Sequence, residues 1–209
     1  MSLPRQSMAQ PQFGLAKTTN ASASGRVEIT ADLIDLQMPT TNQLYRSLAA
    51  DRNVVITSAA DQSRATANKA LFEEGAGIVE LTGDAVWQAA DRSVRGQLLR
   101  YVRTNGFFFA KRDAYLKVPV SALSPSPTSP SAPGRQQKTT NSPPQFVEVY
   151  STEYTYTSNS LVFRDNVRGQ LLEGDTPRGG IQCALLGLRF TNQLESARAS
   201  GGVKLEQFP

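Results

Sequence analysis

Apolar and polar residues alternate with a period of two along most of the chain, and small or acidic residues break that alternation at intervals. In IVELTGDAVWQ (Ile78 to Gln88) an alternating run reaches Gly83-Asp84 and resumes with Val86 and Trp87. LVFRDNVRGQ (Leu161 to Gln170) does the same around Asp165-Asn166, and ARASGGVKLEQ (Ala197 to Gln207) more weakly around Gly202. Period-two alternation is the signature of a strand with one buried face. A break made of Gly, Asp or Asn is where a strand kinks, because these residues tolerate left-handed or bulged backbone.

The pattern repeats. Strand openings at VEITADLIDLQ (Val27), RATANKALFEE (Arg64), SVRGQLLRYVR (Ser93), FVEVYSTEYTY (Phe146) and GIQCALLGLRF (Gly180) are each followed by a second strand: SLAADRNVVITS, GIVELTGDAVWQ, GFFFAKRDAYLKV, SLVFRDNVRGQ and SARASGGVKLEQ. Asn53, Asp84, Asp113, Asn166 and Gly202 take the same kink position, 31, 29, 53 and 36 residues apart. The unit is a bent hairpin of roughly 30 residues, present five times. ATANKALFEEG has helical propensity, yet it occupies a strand position in the repeat and is read as a strand.

Five bent hairpins in series give an all-β sheet creased along one line, an elongated, folded-over antiparallel stack with an inside and an outside. The alternation assigns Val79, Leu81 and Trp87 to the inside, then Leu99 and Tyr101, Phe107 and Phe109, Leu161 and Phe163, and Val203 with Leu205. Glu80, Thr82, Arg100 and Arg103 fall on the solvated face.

Composition divides the chain. Residues 1–26 are polar and rich in Ser, Ala, Gln and Thr, and read as a disordered leader. Residues 121–144, SALSPSPTSPSAPGRQQKTTNSPP, read as a solvated loop or linker between repeats at 27–120 and repeats at 145–209 that continue the same stack. A net charge of +4 is spread over scattered arginines, which argues against a nucleic-acid partner. The chain has no histidine, so Ser-His-Asp and Cys-His catalysis and the commonest zinc sites are excluded. No cofactor or metal site is implied. Cys183 stands alone in the apolar run GIQCALLGL and reads as a small buried residue. No run approaches the roughly 18 apolar residues of a membrane helix.

Several pieces together carry a resemblance. They are the small-polar strand openings Ala31-Asp32 and Ala67-Asn68, the Leu-Thr-Gly-Asp-Ala bend at residues 81–85, VRGQLLRY from Val94, and the closing Ala199-Ser200-Gly201-Gly202-Val203. The chain from Val27 to Leu205, without the proline-rich insert, resembles the OstA-like repeat of the periplasmic lipopolysaccharide-transport proteins. Two departures stand out: the insert itself, and Gln97 where the repeat carries an acid.

The resemblance implies a β-jellyroll that is not an enzyme and whose lumen holds the acyl chains of lipopolysaccharide or a related amphipathic lipid. It also implies edge-to-edge pairing with other OstA-like domains or with copies of itself, and a periplasmic location, the export signal having been removed. Val79, Leu81, Trp87, Leu99, Tyr101, Phe107, Phe109 and Phe163 are then the lumen candidates, with plain sandwich core as the competing role. The recurring acids at the kinks read as bend residues rather than catalysts. Arg95, Arg100, Arg103, Arg112, Arg164 and Arg168 have guanidinium forks suited to lipid phosphates, against ordinary solvated charge. A structural or adhesive β-repeat protein is the alternative, and a carbohydrate-active enzyme on a repetitive β scaffold is a weaker one.

Overall fold

The computed structural model describes residues 26–41, 44–123, 143–191 and 194–208. The proposed leader at 1–26, save Arg26, and most of the proline-rich segment lie outside them. Among the described residues twelve strands form one antiparallel sheet: β1 (Val27–Thr30), β2 (Leu33–Gln37), β3 (Ser47–Ser58), β4 (Ser63–Glu73), β5 (Ile78–Ala89), β6 (Arg92–Val102), β7 (Phe107–Pro119), β8 (Gln145–Thr157), β9 (Ser160–Glu173), β10 (Thr176–Phe190), β11 (Leu194–Ser200) and β12 (Lys204–Gln207). A short helix, α1 (Val120–Leu123), follows β7 and runs into the start of the segment expected to be loop.

Neighbours in sequence are neighbours in the sheet from β3 to β10. At one end β1 and β2 both pair with β3, and at the other β11 and β12 both pair with β10. Each end is thus one long strand interrupted at the crease. β7 pairs with β8 across the proline-rich segment, so the repeats on both sides of it share the sheet. The segment 64–73 is strand, because both of its edges are hydrogen-bonded to partners that outweigh its helical propensity.

The kinks are the organising feature. Arg52-Asn53, Gly83-Asp84, Arg112-Asp113, Asp165-Asn166 and Gly201-Gly202 all have positive φ, between 48° and 79°. Every kink foreseen from sequence is therefore the second of two successive left-handed residues. The ladder shifts register at each internal pair: Gly83 and Asp84 stand against Gln97 alone, and Arg112 and Asp113 against Thr152 alone. One extra residue on every second strand is a bulge, and bulges aligned across the sheet crease it along one line.

The bulge also sets the phase of the side chains. On β5 the inward residues keep one parity across the kink, Leu81 then Ala85 and Trp87. On β6 the parity slips, from Val94 and Gly96 to Leu99 and Tyr101. The inward residues of both arms make one buried cluster, with Tyr154, Phe163, Leu116, Val54, Val94 and Val167 its largest fully enclosed members.

Candidate functional site

The register arranges the inner face as rungs crossing the sheet. In one rung Ala70, Leu81, Leu99, Ala110, Tyr154 and Phe163 are successive partners. A second, nearer the hairpin turns, runs Phe72, Val79, Tyr101, Phe108, Tyr156 and Leu161. A third, across the crease, runs Ala65, Trp87, Val94, Leu116 and Val149. Val79, Leu81, Trp87, Leu99, Tyr101 and Phe163 therefore share one apolar face.

Phe107 and Phe109 do not. Tyr101 is the partner of Phe108 and Leu99 that of Ala110, which places Phe108 inside, while Phe107 and Phe109 face outward opposite Val102 and Arg100. Three consecutive phenylalanines give alternation no phase of its own. Only the pairing with β6 decides it, and Phe108 is the inward residue that sequence reasoning missed.

Aromatic rings concentrate in the middle of the inner face. The rings of Phe108 and Tyr154 stack at 5.8 Å, and those of Tyr154 and Phe163 lie 5.3 Å apart. The Tyr154 hydroxyl is wholly buried and has no hydrogen-bond partner among the described residues. Burial pushes its ionisation well above the ordinary tyrosine value, and burial with nearby Tyr101 pushes Tyr156 up to about 12.

The apolar face does not end with the enclosed core. Ile34 and Leu36 on β2 partner inward Ala50 and Leu48, yet they are 43% and 53% exposed. At the far end Leu205 partners Ile181 and is 76% exposed. The greasy surface thus continues to both ends of the sheet, where β1 with β2 and β11 with β12 present an edge unpaired among the described residues.

The outer crease carries polar ties. The Gln97 side-chain amide donates to Asp84 Oδ1 at 2.6 Å, and Asn53 donates to both Asp32 oxygens at 3.1 and 3.2 Å. Gln97 in place of an acid is thereby accounted for, since a carboxylate there would face that of Asp84. Among the arginines, Arg100 meets Glu80 at 3.9 Å, Arg164 meets Glu153 at 4.0 Å, and Arg103 lies close enough to Glu74 to help lower its ionisation. Arg95, Arg112 and Arg168 have no carboxylate partner among the described residues. Those residues also contain no cluster of His, Cys, Asp or Glu able to hold a metal, and Cys183 is buried and unpaired.

Residues 22–107 match the family model described as LptA/(LptD N-terminal domain) LPS transport protein. That span is OstA-like. It takes in β1 to β6 and the first residue of β7 and holds the bulges at Asn53 and Asp84, with the Leu81–Ala85 bend and Gln97 inside it. Beyond it the same pair of left-handed residues recurs at Arg112-Asp113, Asp165-Asn166 and Gly201-Gly202. No curated protein matches the chain. Among solved structures it is similar to the crystal structure of LptH, the LptA homologous periplasmic component of the conserved lipopolysaccharide transport device from Pseudomonas aeruginosa, with 13% identity and a TM-score of 0.47 over 70% of this chain and 95% of that one.

Proposed function

We propose that this chain carries lipopolysaccharide or a related amphipathic envelope lipid through the periplasm without chemistry, taking acyl chains against the inner face. Val79, Leu81, Trp87, Leu99, Tyr101 and Phe163 line that face, joined by Phe108. The unpaired end strands add the edges of other OstA-like domains, or of a second copy, by main-chain pairing. The observation that carries this reading is the apolar inner face that runs past the enclosed core to open ends, with Ile34 and Leu36 at one and Leu205 at the other. A soluble sheet with nothing to join would blunt such edges.

The test is displacement of a fluorescent acyl probe by lipopolysaccharide. Leu99→Glu places a charge in the slot and should abolish capture. Leu36→Asp alters an exposed rim position where folding tolerates it, and should weaken capture by about tenfold or more, burial of one leucine side chain being worth about 1.5–3 kcal/mol. Capture at the parental affinity in Leu36→Asp and Leu99→Glu, both folded by circular dichroism, would remove the slot as the site. Light scattering over a concentration series should show growing oligomers, and a strict monomer throughout would remove the edge pairing.

A further inference from the structure

The outer face of the sheet holds a second feature that lipid carriage in the slot does not use. Beside the crease, across β5 to β9, an open groove of about 1170 Å³ is lined by Val86, Arg95, Tyr115, Tyr150 and Arg168 on one side. Bulge residues, Gln97, Arg112, Asp113, Thr152 and Asn166 among them, form the other side. The register makes the first wall a straight row: Arg95 partners Tyr115, Tyr115 partners Tyr150, and Tyr150 partners Arg168.

The row is ordered by its own contacts. The Arg95 guanidinium lies 4.2 Å from the centroid of the Tyr115 ring, and that ring packs on Tyr150 at 4.8 Å. Tyr115 is further held by donating its hydroxyl to Glu148 at 3.0 Å, while Glu148 also meets Lys117 at 3.1 Å. Tyr115 is buried as a result, and Tyr150, which also lines the groove, remains 42% exposed. Arg95 and Arg168 stand three strand spacings apart, roughly 14 Å, with Arg112 across the groove between them.

None of the three arginines is neutralised by a carboxylate among the described residues. Of the two acids in the groove, Asp84 is tied to the Gln97 amide at 2.6 Å, and Asp113 is the second. A cavity of this size with fork donors at both ends, an aromatic face between them and amides alongside suits an elongated polar ligand. Sugar rings stack on aromatic faces, and guanidinium forks match phosphate oxygens in pairs. We infer that this groove binds a phosphate-bearing oligosaccharide, with Arg95 and Arg168 gripping anionic groups at its two ends and Tyr150 carrying a sugar ring. The groove and the slot lie on opposite faces of the sheet, so the inference does not depend on where acyl chains bind.

Calorimetry on the full chain tests it with an acyl-free, bisphosphorylated glucosamine disaccharide, the same disaccharide without phosphate, and inorganic phosphate. The bisphosphorylated sugar should bind at least about tenfold more tightly than either of the others, with an affinity that falls as salt is raised. Arg95→Gln and Arg168→Gln should each lower that affinity about tenfold or more, whereas Arg198→Gln, an equal charge change on β11, should not. Tyr150→Ala should weaken the disaccharide and leave inorganic phosphate unchanged. Equal binding of the neutral sugar, equal binding of inorganic phosphate, loss in Arg198→Gln matching that in Arg95→Gln, or no binding at all would each overturn the assignment. Because no probe carries an acyl chain, none of these outcomes bears on lipid capture in the slot.

Discussion

Replacing Gly83 by alanine tests the bulge on which the crease depends. Gly83 has φ +79° in the middle of β5, and a Cβ built there would lie 2.8 Å from the Asn68 Cβ and 2.6 Å from its Nδ2. Two costs follow. Holding alanine in left-handed backbone costs about 1–2 kcal/mol, part of which is returned by the stiffer unfolded chain. Pushing a methyl against the Cβ of Asn68, which no rotamer change can move, adds about 1–3 kcal/mol. The expected total is about 2–4 kcal/mol, or a fall in Tm of roughly 5–15 °C.

Gly106→Ala isolates the first cost, since Gly106 has φ +65° with nothing within 4 Å of its would-be Cβ. It should cost only about 1 kcal/mol. Asn68→Gly removes the obstacle, so a double-mutant cycle between positions 68 and 83 should give a coupling of about 1–3 kcal/mol favouring the pair. The assay is urea unfolding followed by the fluorescence of Trp87, the single tryptophan and a buried one. If Gly83→Ala cost no more than Gly106→Ala, or if the cycle closed with no coupling, the bulge geometry argued above would be wrong.

Three further expectations follow. Phe108→Ala should cost about 3–5 kcal/mol by urea titration and Phe109→Ala less than half of that, because only Phe108 is inward; equal costs would restore the opposite register. Tyr154→Phe deletes a buried hydroxyl with no partner and should raise stability by about 1 kcal/mol, so a loss would reveal a partner for that oxygen. Tyr154 and Tyr156 ionise above the roughly pH 10 of an unfolded tyrosine, so their contribution is fully present below that pH. It should drain away as pH rises towards 12, read as a falling urea midpoint, and Tyr154→Phe should lessen the fall.

Much of the architecture was legible in the residues. Two-residue alternation marked the strands, and Asn, Asp or Gly at each break marked the kinks, because few other residues accept left-handed backbone without strain. All five marked positions have positive φ. The recurrence of the break identified a sheet creased along one line, and the short motifs at 31–32, 67–68 and 81–85 pointed to the OstA-like repeat that the family match covers. What alternation alone could not supply was phase. FFF at 107–109 satisfies either face, and the slip from Val94 and Gly96 to Leu99 and Tyr101 on β6 originates in bulges on β5 and β7, not in β6 itself.

The outer groove lay further from view. Arg95, Tyr115, Tyr150 and Arg168 are spread over more than 70 positions of sequence, and only the register of four strands sets them side by side. The same holds for Gln97, which looked like a lost acid until Asp84 was found across from it. Local chemistry, period and kink residues, is written along the chain because each strand's backbone answers to its own side chains. Which side chains meet is decided between strands, by hydrogen-bond register and by one extra residue at each bulge, and a one-residue shift there changes the face of everything beyond it.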